Sequence, residues 1–308
     1  MSKTAFMFPG QGAQYIGMGK DFYEKEETAK EIFEKAGSIT GLDMPSICFV
    51  ENDRLSITEY TQIAMLTVET AILKVLEERG IRPDVTAGLS LGEYGAIVAC
   101  GAMRAEEAFA VVRRRGVYMQ EAVPEGGAMA AVMGIGADVI EEVCQNTPGI
   151  VSIANYNCPG QIVITGEEKA VNEAGETLKE KGAKRVVPLN VSGPFHSQML
   201  TGAGERLRKD LEKVQISEFS IPYVANLTAD YVSSPADIRD LLEKQISSPV
   251  RWQQSVERML ADGVDTFVEI GPGKTLSSFV KKINREVMVL NIDKYEDLAK
   301  CLEVLKNA

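Results

Sequence analysis

A chain of 308 residues with 45% hydrophobic content can close one large apolar core, or one with a smaller satellite, burying about 75% of its unfolded surface. Its 33 basic and 44 acidic residues give a formal charge of −11, which disfavours nucleic acid or an anionic membrane as a partner of the whole surface and leaves only local basic patches open. The five cysteines (Cys48, Cys100, Cys144, Cys158, Cys301) are odd in number and lack the short spacing of a zinc or redox pair, the apolar run at 5–8 is too short for a signal peptide, and nowhere do eighteen apolar residues run together; the sequence therefore predicts a soluble cytoplasmic protein with free thiols.

Short apolar runs alternate with helical periodicity, the α/β pattern of a mainly parallel sheet wrapped by helices. The first predicted strand is Thr4–Phe8, followed by the loop Pro9-Gly10-Gln11-Gly12-Ala13-Gln14. A helix is expected over 62–79, with Met65, Val68, Ile72, Val75 and Leu76 on one face and Gly80 placed for a left-handed cap. Pro83-Asp84 turns the chain into a short strand at 85–87, and 91–100 reads as the next helix, closed by Gly101. From about 126 to 189 the rhythm changes: strand 129–133, helix 138–146, strands 151–154 and 161–164, helix 167–181, strand 184–189. The order β-α-β-β-α-β is the signature of a ferredoxin-like sheet with both helices on one face. Thr165 and Glu168 have the spacing of a capping box for its second helix, which carries an apolar stripe of Val171, Ala174 and Leu178. The main layout then resumes with Pro249 at a helix start, Trp252, Val256 and Met259 on one face, strand 266–270, a turn at Gly271-Pro272-Gly273, a helix, strand 287–292 and a last helix. The segments flanking the insert are expected to build one sheet, with Trp252 and the methionines in the core.

Gly88-Leu89-Ser90-Leu91-Gly92 fits the nucleophile elbow G-x-S-x-G, in which glycines let a strand turn sharply into a helix and leave the serine exposed. Strand before and helix after are both predicted here from local signals. At such a helix start the backbone N–H of Leu91 would face a developing oxyanion. A serine hydroxyl needs a base, and the chain contains one histidine, His196. The intervening acids, such as Asp138, Glu141 and Glu167, fall mostly in helices of the insert, so a backbone or amide carbonyl rather than a carboxylate is expected to orient the ring. Gly273-Lys274-Thr275 ends like a phosphate loop, but Val268 stands where the earlier glycine is needed and Pro272 removes a cradle N–H. Gly10-Gln11-Gly12 fails the dinucleotide fingerprint because Tyr15 replaces its third glycine; its glycines instead would let the backbone of Gln11 approach a reacting group. Arg113-Arg114-Arg115 reads as a solvated turn of helix, although Ala108, Val112 and Met119 share the side of Arg115. The helical wheel does not separate Arg115 from its neighbours.

Gly10-Gln11-Gly12-Ala13-Gln14, Gly88-Leu89-Ser90-Leu91-Gly92-Glu93, Arg115-Gly116, Asn157-Cys158-Pro159-Gly160-Gln161, Gly193-Pro194-Phe195-His196-Ser197, Pro249-Val250-Arg251-Trp252 and Glu269-Ile270-Gly271-Pro272-Gly273 together resemble the malonyl-CoA:acyl carrier protein transacylase family, nearly end to end. The resemblance implies an α/β-hydrolase-like large domain of residues 1–125 and 193–308 and a ferredoxin-like subdomain of residues 126–192. It makes Ser90 the acylated nucleophile, His196 its base and Arg115 the grip on the malonyl carboxylate, with an oxyanion hole of Gln11 and Leu91 backbone N–H groups. It also implies that Gln245 offers a carbonyl to the histidine ring and that Phe195 shapes a small acyl pocket. Leu89 departs from the family, which usually has histidine there, so a polar contact around the elbow is absent.

The implied partners are malonyl-CoA and acyl carrier protein, in a monomer with neither metal nor bound cofactor, working in fatty acid synthesis or in a polyketide pathway. Local basic clusters, Lys281, Lys282 and Arg285 or Lys184 and Arg185, are the candidates for meeting the carrier, against a reading of each as solvated surface. The rival readings are a serine hydrolase such as a thioesterase, a nucleotide-binding module using Gly273-Lys274-Thr275, and a non-catalytic carrier-docking domain.

Overall fold

The computed structural model describes residues 2–307. The chain starts with β1 (Thr4–Phe8), three helices α1 (Lys20–Lys25), α2 (Glu27–Thr40) and α3 (Met44–Phe49), the long α4 (Thr58–Glu78), β2 (Val85–Gly88), α5 (Gly92–Ala99) and α6 (Ala105–Ala122). Next come β3 (Gly127–Met133), α7 (Ala137–Asn146), β4 (Val151–Cys158), β5 (Gln161–Glu167), α8 (Glu168–Glu180) and β6 (Arg185–Pro188). The chain closes with α9 (Thr201–Leu211), β7 (Tyr223–Val224), α10 (Ile238–Gln245), α11 (Trp252–Ala261), β8 (Thr266–Ile270), α12 (Thr275–Ile283), β9 (Met288–Ile292) and α13 (Tyr295–Asn307).

Strands from both sides of the 127–188 segment form one parallel sheet in the order β7-β2-β1-β8-β9, as the alternating pattern predicts. Its central strands are buried on both faces: Phe6 and Phe8 point into the core around α4 and α6, while Ala5, Met7 and Phe267 pack with Trp252 on the other side. That two-sided burial is why these strands read as unbroken apolar runs. Pairing of Phe8 with Gly88 brings the ends of β1 and β2 level, so the loop after β1 and the elbow after β2 emerge together at the carboxyl edge of the sheet. The remaining strands form a four-stranded antiparallel sheet, β4-β5-β3-β6, with its own core against α7 and α8.

Helix α4 begins at Thr58, earlier than the expected 62, because packing overrides the weak helix propensity of Thr58 and Thr61: Gln120 on α6 accepts the Thr58 N–H. The helix is buried on nearly every side and carries Gln62 and Glu69 into the interior. Strand β4 outruns the expected 151–154 because irregular register beside β5 carries pairing past Asn155 to Cys158. The capping box at Thr165 does not form. Thr165 is held inside β5 with its hydroxyl unpartnered, α8 starts after Glu167, and the Glu167 carboxylate accepts instead from Ile150 N–H. Pro249 likewise lies before α11 rather than at its start, because Val250 pairs its backbone with Ala154 and Tyr156 of β4. The five cysteines are buried free thiols, and among the described residues no helix is long and apolar enough to cross a membrane.

Candidate active site

The turn from β2 into α5 is held by close backbone approach. A Cβ on Gly92 would stand 2.0 Å from the Phe8 carbonyl oxygen, and one on Gly88 would stand 1.9 Å from the Gly92 carbonyl oxygen. Between them Ser90 adopts φ 56°, a left-handed conformation that non-glycine residues reach only when their surroundings impose it. Asn226, just after β7, clamps the turn from below. Its Oδ1 accepts from Ser90 N–H at 2.6 Å and its Nδ2 donates to the Gly88 carbonyl at 2.6 Å. Leu89 N–H donates to the Phe8 carbonyl, and the Leu89 side chain packs on the Trp252 side of the sheet. Apolar packing thus fills the position before the serine.

His196 lies in the loop before α9, also left-handed at φ 61°, its N–H donating to the Ile246 carbonyl. Ring Nε2 is 2.8 Å from Ser90 Oγ and Nδ1 is 2.8 Å from the backbone carbonyl of Gln245. A carbonyl can only accept, so Nδ1 carries the hydrogen and Nε2 is free to take one. Burial first, and the charge of Arg115 second, push the His196 pKa down to about 4, keeping the ring neutral at ordinary pH. The ring is oriented by main chain and by no carboxylate.

Arg115 is the one buried member of its basic triplet: Arg113 pairs with Glu59 and Arg114 is exposed. Its Nη1 donates to Gln62 Oε1 at 2.7 Å; its Nη2 donates to Gln245 Oε1 at 3.0 Å and to Ser90 Oγ at 3.2 Å. These acceptors are all neutral, and Nε has none. Burial pulls the guanidinium pKa below its ordinary value. A cation lacking a bonded counter-ion beside a hydroxyl is a ready site for a carboxylate.

The loop after β1 completes the arrangement. Gly10 passes so close to the elbow that a Cβ there would meet the Leu89 carbonyl oxygen at 2.6 Å. Neither Gln11 N–H nor Leu91 N–H is bonded to a protein acceptor among the described residues, and the Gln11 side chain is tied back to Thr58 at 3.0 Å. Ser90, His196, Gln11 and Phe195 line a cavity of about 230 Å³, walled by Met119, Leu276 and Phe279 and edged by Asn155 and Asn157 of β4. The strand extension past 154 is what delivers those two asparagines.

The structure thus brings Ser90, His196, Gln11, Leu91, Arg115, Phe195 and Gln245 to one place, leaves Lys184, Arg185, Lys281, Lys282 and Arg285 outside it, and adds three residues that sequence reasoning missed. Gln62 and Glu93 carried a signal, since each is a polar residue within a helix otherwise buried and mostly apolar. Asn226, in an irregular segment, carried none. At Gly273-Lys274-Thr275 the Glu269 carboxylate accepts from Leu276 and Ser277 N–H, so the helix start already holds an anion of its own and a phosphate has no place there.

The model of the family described as "Acyl transferase domain" matches residues 5–301. The malonyl CoA-acyl carrier protein transacylase of Bacillus subtilis (strain 168) is 45% identical over 99% of this chain and 98% of its own length; that of Staphylococcus aureus (strain MRSA252) is 41% identical over 97% and 98%. Among solved structures, the malonyl CoA-acyl carrier protein transacylase from Clostridium perfringens superposes with a TM-score of 0.95 at 43% identity, covering 99% of this chain and 98% of that one. A malonyl-transacylase solved in complex with its type II PKS acyl-carrier protein superposes at 0.95 with 37% identity, covering 98% and 100%.

Proposed function

Since the chain belongs to the acyl transferase domain family, we propose that it moves a malonyl group from malonyl-CoA to the phosphopantetheine thiol of acyl carrier protein through a malonyl ester on Ser90. The observation that carries the reading is one hydroxyl, Ser90 Oγ, held 2.8 Å from a neutral imidazole and 3.2 Å from a buried guanidinium.

In the first half-reaction Ser90 Oγ attacks the thioester carbonyl while its proton passes to His196 Nε2. The oxygen that becomes negative lies between the free N–H groups of Gln11 and Leu91, each such donor typically lowering the barrier by ~2.7 to 4 kcal/mol. The tetrahedral adduct collapses, the C–S bond breaks, and the imidazolium returns its proton to the departing thiolate of CoA. In the second half the carrier thiol gives its proton to His196 and attacks the ester, and Ser90 Oγ is reprotonated as it leaves. The Gln245 carbonyl keeps the ring in the required tautomer and stabilises the imidazolium in both halves. Arg115, itself fully buried, takes the malonyl carboxylate as a charge-assisted pair, and Phe195 limits the acyl size. An acetyl group would leave that cation alone.

On this reading residues 1–125 and 193–308 are an α/β-hydrolase-like catalytic domain, and residues 126–192 a ferredoxin-like subdomain whose β-α-β-β-α-β order and β4-β5-β3-β6 pairing support that description. The enzyme is a cytoplasmic monomer supplying extender units for fatty acid synthesis. Mixing the protein with malonyl-CoA and weighing it intact tests the chemistry. A stable malonyl adduct on Ser90, discharged by carrier thiol, is expected; release of free malonate without an adduct would identify a thioesterase instead.

A further inference from the structure

Glu93 stands on α5 one turn beyond the nucleophile, buried, and touches neither the imidazole nor the guanidinium. Its Oε2 accepts from Gln245 Nε2 at 2.7 Å and from Asn226 N–H at 3.1 Å, while its Oε1 has no partner. Both of its neighbours are working parts. Gln245 presents side-chain Oε1 to Arg115, and Asn226 clamps the backbone of Ser90.

An amide side chain has two ends of opposite character, and its direction is decided by what each end meets. The NH2 of Gln245 faces three acceptors, the Ser90 carbonyl at 2.9 Å, Asn226 Oδ1 at 3.4 Å and, nearest at 2.7 Å, Oε2 of Glu93, whose pKa burial pushes up to about 7. With the NH2 so held, Oε1 is left facing Arg115. Turned about, the amide would set its NH2 against the guanidinium, donor to donor, and its oxygen against three other oxygens. We propose that Glu93 is a positioning residue for the acyl carboxylate: it fixes the direction of the Gln245 amide, which in turn aims Arg115 at the acyl end of the substrate. The inference rests on the reading of Arg115 as the malonyl grip. It explains why an acid lies beside this site without bonding to the cation: one hydrogen bond removed, Glu93 directs Arg115 and leaves its donors for the substrate.

Two substitutions separate the position of the acceptor from its being a carboxyl group. Glu93→Gln keeps an oxygen in place and puts its NH2 where Oε1 now has no partner. Glu93→Asp keeps the carboxyl group and withdraws the oxygens by about 1.5 Å, one methylene. The readout is the ratio of kcat/KM for acylation of Ser90 by malonyl-CoA to that by acetyl-CoA, a quantity that loss of folded protein alone does not move. Glu93→Gln is expected within about threefold of the parent ratio and Glu93→Asp at least tenfold below it. A Glu93→Asp ratio equal to the parent's, or a Glu93→Gln ratio that collapses, would overturn the proposal. Arg115→Met, measured beside them, tests the reading underneath: if its ratio stays at the parent value, Arg115 is not the grip, whatever Glu93 does.

Discussion

Replacing Arg115 by methionine exchanges a guanidinium for an apolar chain two atoms shorter at a fully buried position, and two effects on folding oppose each other. The variant leaves Gln62 Oε1 and Gln245 Oε1 without the donor each now has, at about 1–3 kcal/mol apiece. It also removes a buried cation supported only by neutral acceptors, whose own desolvation costs several kcal/mol. The two nearly cancel, so the melting temperature should move little. Acylation is not balanced in this way. Removing one partner of a buried charge pair costs about 3–5 kcal/mol, which at 1.4 kcal/mol per decade is a loss of roughly 10²- to 10⁴-fold in kcat/KM for malonyl-CoA. Acetyl-CoA makes no such pair, so its rate should fall far less. Rapid quench followed by intact mass gives both rates on one preparation. Equal losses for the two acyl groups would refute the reasoning, since they would mean that Arg115 acts on Ser90 Oγ and not on the substrate carboxylate.

Three other outcomes follow from particular contacts. With the His196 pKa at about 4, malonylation kcat/KM should stay flat from neutrality downward and drop tenfold per unit only below about pH 4, whereas a fall beginning near the ordinary imidazole value of about 6.5 would show a ring more exposed than the structure has it. Gly92→Ala places a methyl against the Phe8 carbonyl and should cost more than about 4 kcal/mol or yield insoluble protein; a melting temperature like the parent's would mean that the elbow is not so tight. Glu69 on α4 is buried with neither oxygen bonded, and burial first, then the nearby Glu269, raise its pKa well above the usual carboxylate range. Below the unfolded-state pKa both states are protonated; above it only the unfolded chain ionises, so each pH unit lowers stability by up to ~1.4 kcal/mol until the folded pKa is passed. Glu69→Gln removes that slope, so its denaturation midpoint should rise relative to the parent between pH 5 and 8 and converge with it in acid; parallel curves would exclude an ionisation penalty at this site.

The contact of Ser90 with His196 was legible because it rests on residue types that occur in few places: a serine between two glycines at a strand end, and a lone histidine. The β-α-β-β-α-β order was legible because apolar period alone carries it. Where local signals competed with pairing, pairing won: Thr165 was drawn into β5 instead of capping α8, and β4 ran on through polar Asn155 and Asn157. Arg115 was named with its neighbours, and only burial separates it from Arg114. Helices α1, α2, α3, α9 and α10, with β7 and Asn226, went unread from the sequence; a two-residue strand has too little pattern to announce itself, and Asn226 meets Ser90 across 136 positions of chain.

Gln245 serves its two neighbours with different parts of itself: main chain toward His196, side chain toward Arg115. Mutational drift reaches side chains and leaves the peptide carbonyl in place. A lineage exploring position 245 can therefore change what Arg115 meets while the carbonyl that holds the His196 ring survives each step, and a search for altered extender preference has a natural starting point there.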